Sequence, residues 1–263
     1  MNRREFVAGS LAAAALLQAR DAPAQANGAT GARILVFDTF GTVVDWRGSV
    51  IAELEKLGKN RNLNADWAAF ADAWRGGYGP SMNLVRTGKL PWTKLDALHR
   101  MVLDQLIEKF KIEGLSEEEK KHLNYVWHRL KPWPDSVQGL TRLKKKFVIA
   151  PLSNGNVSLL TNMAKQAGLP WDAILSTEIV KHYKPDRETY LMAPEFWDVE
   201  PAAVMMVAAH GGDLDAAKKL GLKTAYVHRP LEFGSARQPT RPADGSYDFM
   251  ARDFRELATQ LGT

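Results

Sequence analysis

The segment Ile34-Leu35-Val36-Phe37-Asp38-Thr39-Phe40-Gly41-Thr42 decides the fold. Its first four residues are apolar, which is typical of a short strand buried on both faces. Asp38 follows at the end of that strand, where an ionisable group is costly to bury unless it is used. Gly41 suits a tight turn, and the Thr42 hydroxyl can hydrogen-bond the carboxylate. Ligands of open α/β sheets bind beyond the carboxyl ends of the strands, so we expect Asp38 to face a site; an Asp that only caps the turn is the alternative.

The next hundred residues carry helical periodicity. Apolar residues recur at three- and four-residue spacings over 49–57, 65–74, 90–110 and 117–130. Ser116 and Glu119 predict a capping box at the start of the last helix, and the glycines and proline of 76–80 predict a sharp break after the second. We interpret this block as a lid over the strand ends, and its tryptophans as helix-packing residues.

Strands and helices then alternate. The patterns predict strands at 147–152, 173–176, 204–209 and 224–227, and helices at 157–167, 187–196, 213–220 and 254–261, with a surface loop over 232–246. Regular alternation favours an α/β fold with a parallel sheet and helices on both faces.

Polar residues follow three of these later segments. Ser153 and Asn154 end the strand at 147–152, Lys184 follows a short strand and a loop, and His210 and Asp213 follow the strand at 204–209. A lysine near Asp38 would keep that carboxylate ionised. Each residue also has a plain structural reading: Ser-Asn-Gly is a good turn, the lysine suits an exposed loop, the histidine suits a core and the last Asp suits a helix N-cap.

The order of these residues along the chain resembles the haloacid dehalogenase-like hydrolase superfamily. Within it, the segment 37–42 is similar to the L-2-haloacid dehalogenases (type II). Three further motifs carry the resemblance: Ala73-Trp74-Arg75, Leu152-Ser153-Asn154-Gly155, and Tyr183-Lys184-Pro185-Asp186 with Tyr190 six residues after the lysine. The resemblance implies a three-layer, Rossmann-like parallel core at 27–46 and 134–263, with an inserted helical cap at 47–133.

The resemblance also implies a role for each site residue. Asp38 would be the nucleophile, supported by Thr42 and balanced by Lys184. Arg75 and Asn154 would accept the departing halide, Ser153 would bind the substrate carboxylate, and Tyr190 would sit beside the lysine. The reaction would hydrolyse short (S)-2-haloacids to 2-hydroxyacids through an ester on Asp38, with Asp213 or His210 activating water and without a metal or cofactor.

Two positions depart from better-known patterns. Phe40 stands where the superfamily's phosphatases carry a second acid, which argues against a magnesium-dependent phosphatase or phosphonatase. His210 stands where better-known dehalogenases have asparagine, and a histidine can titrate near neutral pH. A non-catalytic exported protein that binds a small anion is the remaining alternative.

The N-terminus predicts export. Arg3 and Arg4 precede an apolar stretch, 7–17, that is too short to span a bilayer, and Ala24-Gln25-Ala26 supplies a small-x-small cleavage site. We interpret 1–26 as a twin-arginine signal that delivers a mature chain beginning near Asn27 to the periplasm.

Composition narrows the partners. The chain has no cysteine, which excludes disulfides and thiolate catalysis. Its net charge is +5, and +4 without residues 1–26, a weak positive balance that is compatible with a small anionic substrate. The basic triplet 144–146 predicts a solvated helix end rather than a nucleic-acid site. We therefore expect a small halogenated acid as partner, no nucleic acid and no stable membrane anchor, and leave a homodimer open.

Overall fold

The computed structural model describes residues 30–263, so the signal segment expected at 1–26 lies outside the described residues. The strands are β1 (Ile34–Phe37), β2 (Val44–Asp45), β3 (Lys131–Pro132), β4 (Val148–Ser153), β5 (Leu175–Ser176), β6 (Val204–Ala208), β7 (Lys223–Val227) and β8 (Phe249–Ala251). The α-helices are α1 (Trp46–Arg61), α2 (Trp67–Gly76), α3 (Tyr78–Arg86), α4 (Leu95–Lys109), α5 (Glu117–Asn124), α6 (Ser136–Lys144), α7 (Val157–Ala167), α8 (Arg187–Phe196), α9 (Gly211–Lys219) and α10 (Phe254–Gln260).

Six strands form one parallel sheet in the order β5-β4-β1-β6-β7-β8. Because β1 lies between β4 and β6, the segments that follow these three strands meet at one edge of the sheet. Val36 is level with Ala150 on one side and with Met206 on the other. The predicted parallel α/β fold is confirmed, and its register brings Asp38 close to the polar residues after β4 and β6.

Alternating side chains of the strands build two separate cores. Leu35 and Phe37 face a cluster that includes residues of α6, α7 and α10. Ile34 and Val36 face the opposite cluster, which includes residues of α8 and α9. Side chains alternate across a strand, so each face of the sheet buries its own layer of helices. The result is the three-layer arrangement expected from the sequence.

A helical insertion, defined here as α1–α5 with the 3-10 turn Tyr125–His128, lies between β2 and β3. These two strands pair antiparallel, Val44 with Pro132 and Asp45 with Lys131, and so bring the two ends of the insertion together. The capping box of Ser116 and Glu119 is present at the start of α5. Trp74 and Trp127 are buried in the insertion's core, as their interpretation as packing residues predicted.

Several elements differ from the sequence-based expectation. The predicted break after the second helix is confirmed, because α2 ends at Gly76, but a further helix that was not predicted, α3, begins at Tyr78. Helix α4 begins at Leu95 rather than near residue 90, and α6, β2, β3 and β8 were not predicted. The short strands β2, β3 and β8 were not predicted because strands of two or three residues have too few positions to show a period. Within the described residues, no helix is long and apolar enough to cross a membrane.

Candidate active site

Asp38 lies directly after β1 and forms the centre of a charged cluster. Its Oδ2 accepts a hydrogen bond from Thr42 Oγ1 at 2.7 Å and lies 3.0 Å from His210 Nδ1, whereas its Oδ1 is 3.3 Å from Lys184 Nζ. Burial raises the pKa of Asp38, but Lys184, His210 and Thr42 together lower it by more than burial raises it. The pKa of Asp38 therefore lies well below the usual range. Asp38 is therefore a carboxylate at neutral pH.

The turn after β1 holds Thr42 in place from two sides. Thr42 Oγ1 accepts a hydrogen bond from Ala209 N at 2.9 Å, and the Thr42 carbonyl accepts one from Arg229 Nε at 2.8 Å. Arg229 also forms a buried bidentate pair with Asp135, with distances of 2.7 and 2.9 Å. Gly41 has φ +87°, a left-handed conformation that favours glycine. The turn is thus tied to β6 and to the start of α6.

Lys184 lies between two acids. Its Nζ is 3.3 Å from Asp38 Oδ1 and 2.7 Å from Asp213 Oδ2, and Tyr190 Oη donates to Asp213 Oδ1 at 2.6 Å. Burial lowers the pKa of Lys184, but Asp213 and Asp38 raise it more, so Lys184 stays an ammonium. Burial raises the pKa of Asp213, and the Asp38 charge adds to that rise against the opposing effect of Lys184. The structure thus brings together four residues that the sequence analysis placed in one site: Asp38, Lys184, Tyr190 and Asp213.

His210 lies between two carboxylates. Its Nδ1 faces Asp38 Oδ2, and its Nε2 is 3.0 Å from both carboxylate oxygens of Glu232. Burial lowers the pKa of His210, but the hydrogen bonds and charges of Asp38 and Glu232 raise it to about 10. The expectation that His210 titrates near neutral pH is therefore wrong for the free protein. Both ring nitrogens donate, which leaves no lone pair to take a proton from water.

Glu232 was assigned to a surface loop by its sequence context, and that assignment is also wrong. Its side chain is 2% exposed and accepts a further hydrogen bond from Trp46 Nε1 at 3.1 Å. A Cβ placed on Gly41 would lie 2.1 Å from Glu232 Oε1, so the glycine leaves the space that the carboxylate fills. No local pattern in the Pro- and Gly-rich stretch signals this burial, because the residues around Glu232 come from the turn after β1, from α1 and from the end of β6.

Tyr78, which the sequence analysis did not single out, contacts both Arg75 and Asn154. The Arg75 guanidinium lies 4.2 Å from the centre of the Tyr78 ring, and Asn154 Nδ2 donates to Tyr78 Oη at 2.8 Å. Asn154 Oδ1 accepts a hydrogen bond from Lys184 N at 2.8 Å. Among the described residues no carboxylate forms an ion pair with Arg75, whereas Arg47 on the neighbouring helix pairs with Asp72. Arg75 is thus a cation beside the site, positioned to meet an anion.

Ser153 ends β4 and Phe40 follows β1, and the two lie in different surroundings. Ser153, buried at the end of β4, accepts a hydrogen bond from Gly155 N at 3.3 Å, which leaves its hydroxyl proton to donate. Phe40 is 4% exposed and packs edge-on against Trp127 and His99. Burial lowers the pKa of His99 to about 3, so this histidine is neutral. Phe40, Trp127 and His99 therefore form an aromatic, uncharged cluster next to Tyr78.

Comparison with known proteins identifies the family of this chain. The model of the haloacid dehalogenase-like hydrolase family matches residues 32–221. The chain belongs to that family. An (S)-2-haloacid dehalogenase 1 of Pseudomonas sp. (strain CBS-3) is 29% identical over 229 residues, covering 78% of this chain and 90% of that one.

Two crystal structures extend the likeness to the whole fold. One, of an L-2-haloacid dehalogenase, is 43% identical, with a TM-score of 0.82, and covers 88% of this chain and 99% of its own. The other, of a defluorinating L-2-haloacid dehalogenase, is 42% identical, with a TM-score of 0.85, and covers 92% of this chain and 100% of its own. The protein is accordingly a hydrolase of this family, with L-2-haloacid dehalogenases among its relatives.

In this haloacid dehalogenase-like hydrolase, the sequence missed two residues that the structure adds to the site. Tyr78 lies in the Gly-Gly-Tyr-Gly-Pro stretch that predicted a helix break, and Glu232 lies in the stretch that predicted a surface loop. An aromatic residue between glycines was the one signal available for Tyr78. Within the part of the chain that the structure describes, no group of three or more His, Cys, Asp or Glu side chains is arranged to hold a metal ion. The two acids beside Lys184 share its ammonium instead.

Proposed function

We propose that this protein hydrolyses short (S)-2-haloacids to 2-hydroxyacids through an ester formed on Asp38. The observation that carries the proposal is an ionised, largely buried carboxylate at the end of β1 with one oxygen engaged by two donors and the other facing only Lys184. The names of the similar dehalogenases support the substrate class. The small exposed fraction of the Asp38 side chain, 14%, and the aromatic cluster next to Tyr78 favour a short substrate.

Asp38 Oδ1 is the attacking atom in this proposal. Oδ2 accepts from Thr42 and faces His210, whereas Oδ1 has one longer contact, 3.3 Å to Lys184 Nζ. Oδ1 attacks C2 of the haloacid, a carbon–oxygen bond forms, and the carbon–halogen bond breaks with its electron pair leaving on the halide. Attack at saturated carbon is favoured in a site with little water, because a poorly solvated carboxylate is a better nucleophile.

The departing halide meets Arg75 and Tyr78. Arg75 supplies a cation that no described carboxylate neutralises. Tyr78 Oη accepts its hydrogen bond from Asn154, so its own proton remains to donate to an anion. Asn154 thereby orients the donor, and the helical insertion would act as a cap that carries Arg75 and Tyr78 over the strand ends.

The substrate carboxylate pairs with Ser153. Its hydroxyl lies at the end of β4, beside β1, and keeps a proton to donate because it accepts from Gly155 N. This contact fixes the acid end of the substrate while the carbon–halogen bond points to the insertion. A specific orientation of this kind is what selects one enantiomer at C2.

Water completes the reaction by attacking the ester at Asp38 Cγ. Asp213 is the general base, since it is a carboxylate held by Lys184 and Tyr190 within the same cluster. A water proton passes to Asp213 and is returned to Oδ1 as the Cγ–Oδ1 bond breaks, so the 2-hydroxyacid leaves with the oxygen that was Oδ1 as its hydroxyl. The oxygen of the water thus stays in the Asp38 carboxylate.

A phosphatase reading has less support. Phe40 occupies the position of the second acid, and it packs against Trp127 and His99 rather than facing Asp38 with a polar group. A non-catalytic binder would not need a carboxylate held ionised at the centre of its own anion site. Both readings therefore rank below hydrolytic dehalogenation.

A single-turnover experiment in H₂¹⁸O tests the covalent route. With enzyme in excess over an (S)-2-chloroacid, the proposal expects unlabelled 2-hydroxyacid and one ¹⁸O in Asp38, located by peptide mass spectrometry. Label in the first-turnover product would mean direct attack by water and would sink the ester mechanism. Asp38→Asn is the control and should release no halide, because an amide is a far poorer nucleophile.

A further inference from the structure

We propose that His210, held as a cation by Glu232, donates from Nδ1 to the oxyanion that forms on Asp38 Oδ2 when the ester is hydrolysed. This inference rests on the proposed ester mechanism. It makes His210 a catalytic donor, together with Thr42, and it makes Glu232 a positioning residue. The sequence-based role of His210 as general base is replaced.

The first step of the argument is the geometry of the imidazole. Nδ1 lies 3.0 Å from Asp38 Oδ2, and Nε2 lies 3.0 Å from both oxygens of Glu232. Ionised carboxylates only accept hydrogen bonds, so each ring nitrogen must carry a proton. The charged groups around the ring are Asp38 at the end of β1 and Glu232 after β7, with Lys184 and Asp213 on the far side of Asp38.

The second step is that Glu232 is built into this place. Its side chain is 2% exposed, and its described hydrogen-bond donors are His210 and the Trp46 indole. A buried carboxylate without a cation is strongly destabilising, so Glu232 and the His210 imidazolium stabilise one another. The absence of a side chain at Gly41 provides the room.

The third step is where charge develops. If Oδ1 becomes the ester oxygen, Oδ2 becomes its carbonyl oxygen, and attack of water at Cγ moves an electron pair onto Oδ2. Thr42 Oγ1 at 2.7 Å and His210 Nδ1 at 3.0 Å already face that atom. Donors 2.7–3.1 Å from a developing oxyanion stabilise the transition state by electrostatic preorganisation.

The fourth step separates the two half-reactions. During ester formation, negative charge leaves Asp38 for the halide, so donors on Oδ2 favour the ground state over the transition state. During ester hydrolysis, charge grows on Oδ2, and the same donors favour the transition state. Weakening His210 should therefore slow the second half-reaction and spare the first.

Glu232→Gln is the test variant, because it keeps the shape of the side chain and removes its charge. We expect a halide burst of about one equivalent per site, followed by turnover slowed on the order of 10- to 100-fold. Intact-mass analysis should show the Asp38 ester accumulating. The double variant His210→Ala with Glu232→Gln removes the ion pair as a unit, and should give the same burst with slower turnover.

Glu178→Gln is the matched control. Glu178 pairs with Lys94 at 2.7 Å and accepts from Val157 N, outside the charged cluster around Asp38. The proposal expects its burst, turnover and ester level to match the unsubstituted protein. If Glu178→Gln also slowed turnover and let the ester accumulate, the effect of Glu232→Gln would come from general destabilisation, and the inference would be overturned.

The pH dependence gives a readout that a structural role would not move. An imidazolium donor predicts that turnover falls as pH rises through the pKa of His210 in the ester, which lies below its value in the free enzyme because esterified Asp38 carries no charge. Glu232→Gln should shift this alkaline limb to lower pH. A general base would instead make turnover rise with pH through that pKa, an outcome that would overturn the proposal.

Titration of ¹⁵N-labelled histidine in the free protein separates this inference from the proposed function. We expect His210 to titrate near pH 10, and at lower pH in Glu232→Gln. If the unsubstituted protein releases no halide from any 2-haloacid, the proposed function fails. If the unsubstituted protein does release halide, but Glu232→Gln slows the burst itself or accumulates no ester, only the oxyanion role of His210 fails.

Discussion

At the scale of single residues, Arg75 offers the most direct test of the proposed halide site. We expect Arg75→Lys to lower kcat/KM for an (S)-2-chloroacid on the order of 10-fold or more, because an ammonium lacks the planar fork of a guanidinium and stacks less well on the Tyr78 ring. Steady-state halide release measures it. Arg47→Lys, on an arginine already paired with Asp72, is the control and should stay near the unsubstituted value.

Tyr78 carries a second residue-scale prediction. Tyr78→Phe removes the proposed halide donor and should lower kcat/KM on the order of 10-fold, the effect of about 1.4 kcal/mol for one hydrogen bond to a charged group. The loss should be greater for a chloro- than for a bromoacid, because chloride is the stronger hydrogen-bond acceptor. Equal losses for both halides would remove Tyr78 from halide binding. Tyr125→Phe, on an exposed ring stacked on His128, is the control.

At the scale of elements, the turn between β1 and β2 combines backbone and side-chain demands. Gly41→Ala should lower both the Tm and turnover, because a Cβ there would displace the Glu232 carboxylate as well as strain a positive φ. Gly245→Ala shares the positive φ, +83°, but meets nothing within 4 Å, so it isolates the backbone cost.

Thermal unfolding and halide release of the two alanine variants would be compared directly. If the Tm falls by the same amount in both variants and both keep full turnover, the contact between Gly41 and Glu232 has no functional role. If only Gly41→Ala loses turnover, the turn after β1 positions Glu232 and, through it, His210.

The same scale shows what periodicity can predict. The strands at β1, β4, β6 and β7 and the helices from α7 onward were found because each has enough residues to show its pattern: a continuous apolar run for a strand buried on both faces, and three- and four-residue spacings for a helix. Helix α3 was missed because Gly77, Gly79 and Pro80 are read as breakers. Pro80 falls in the first turn of the helix, where its missing N–H costs nothing, so the helix begins despite it.

At the scale of the whole molecule, the proposed reaction needs only the protein's own charges. We expect halide release from (S)-2-haloacids to continue unchanged in excess chelator, because Lys184 rather than a metal ion balances Asp38 and Asp213. Halide assays with and without EDTA measure this. Activity lost with chelator and restored by magnesium would revive the phosphatase-like reading of the site.

We also propose that residues 1–26 export the folded protein, as the paired arginines and the cleavage-like Ala24-Gln25-Ala26 indicate. Replacing Arg3 and Arg4 with lysine should leave the precursor in the cytoplasm, seen by fractionation and immunoblotting. N-terminal sequencing of periplasmic protein should begin near Asn27. Periplasmic protein that still begins at Met1 would contradict the proposed cleavage.

The sequence by itself determined the parallel α/β fold, the helical insertion and the grouping of Asp38, Lys184 and Asp213. These follow from apolar periods and from polar residues at strand ends, which are local features that a parallel sheet converts into one edge. Only the tertiary structure decided the charge state of His210 and the roles of Tyr78 and Glu232. Asp38 and Glu232 lie 172 and 22 residues from His210 in the chain, and a pKa depends on distance in space.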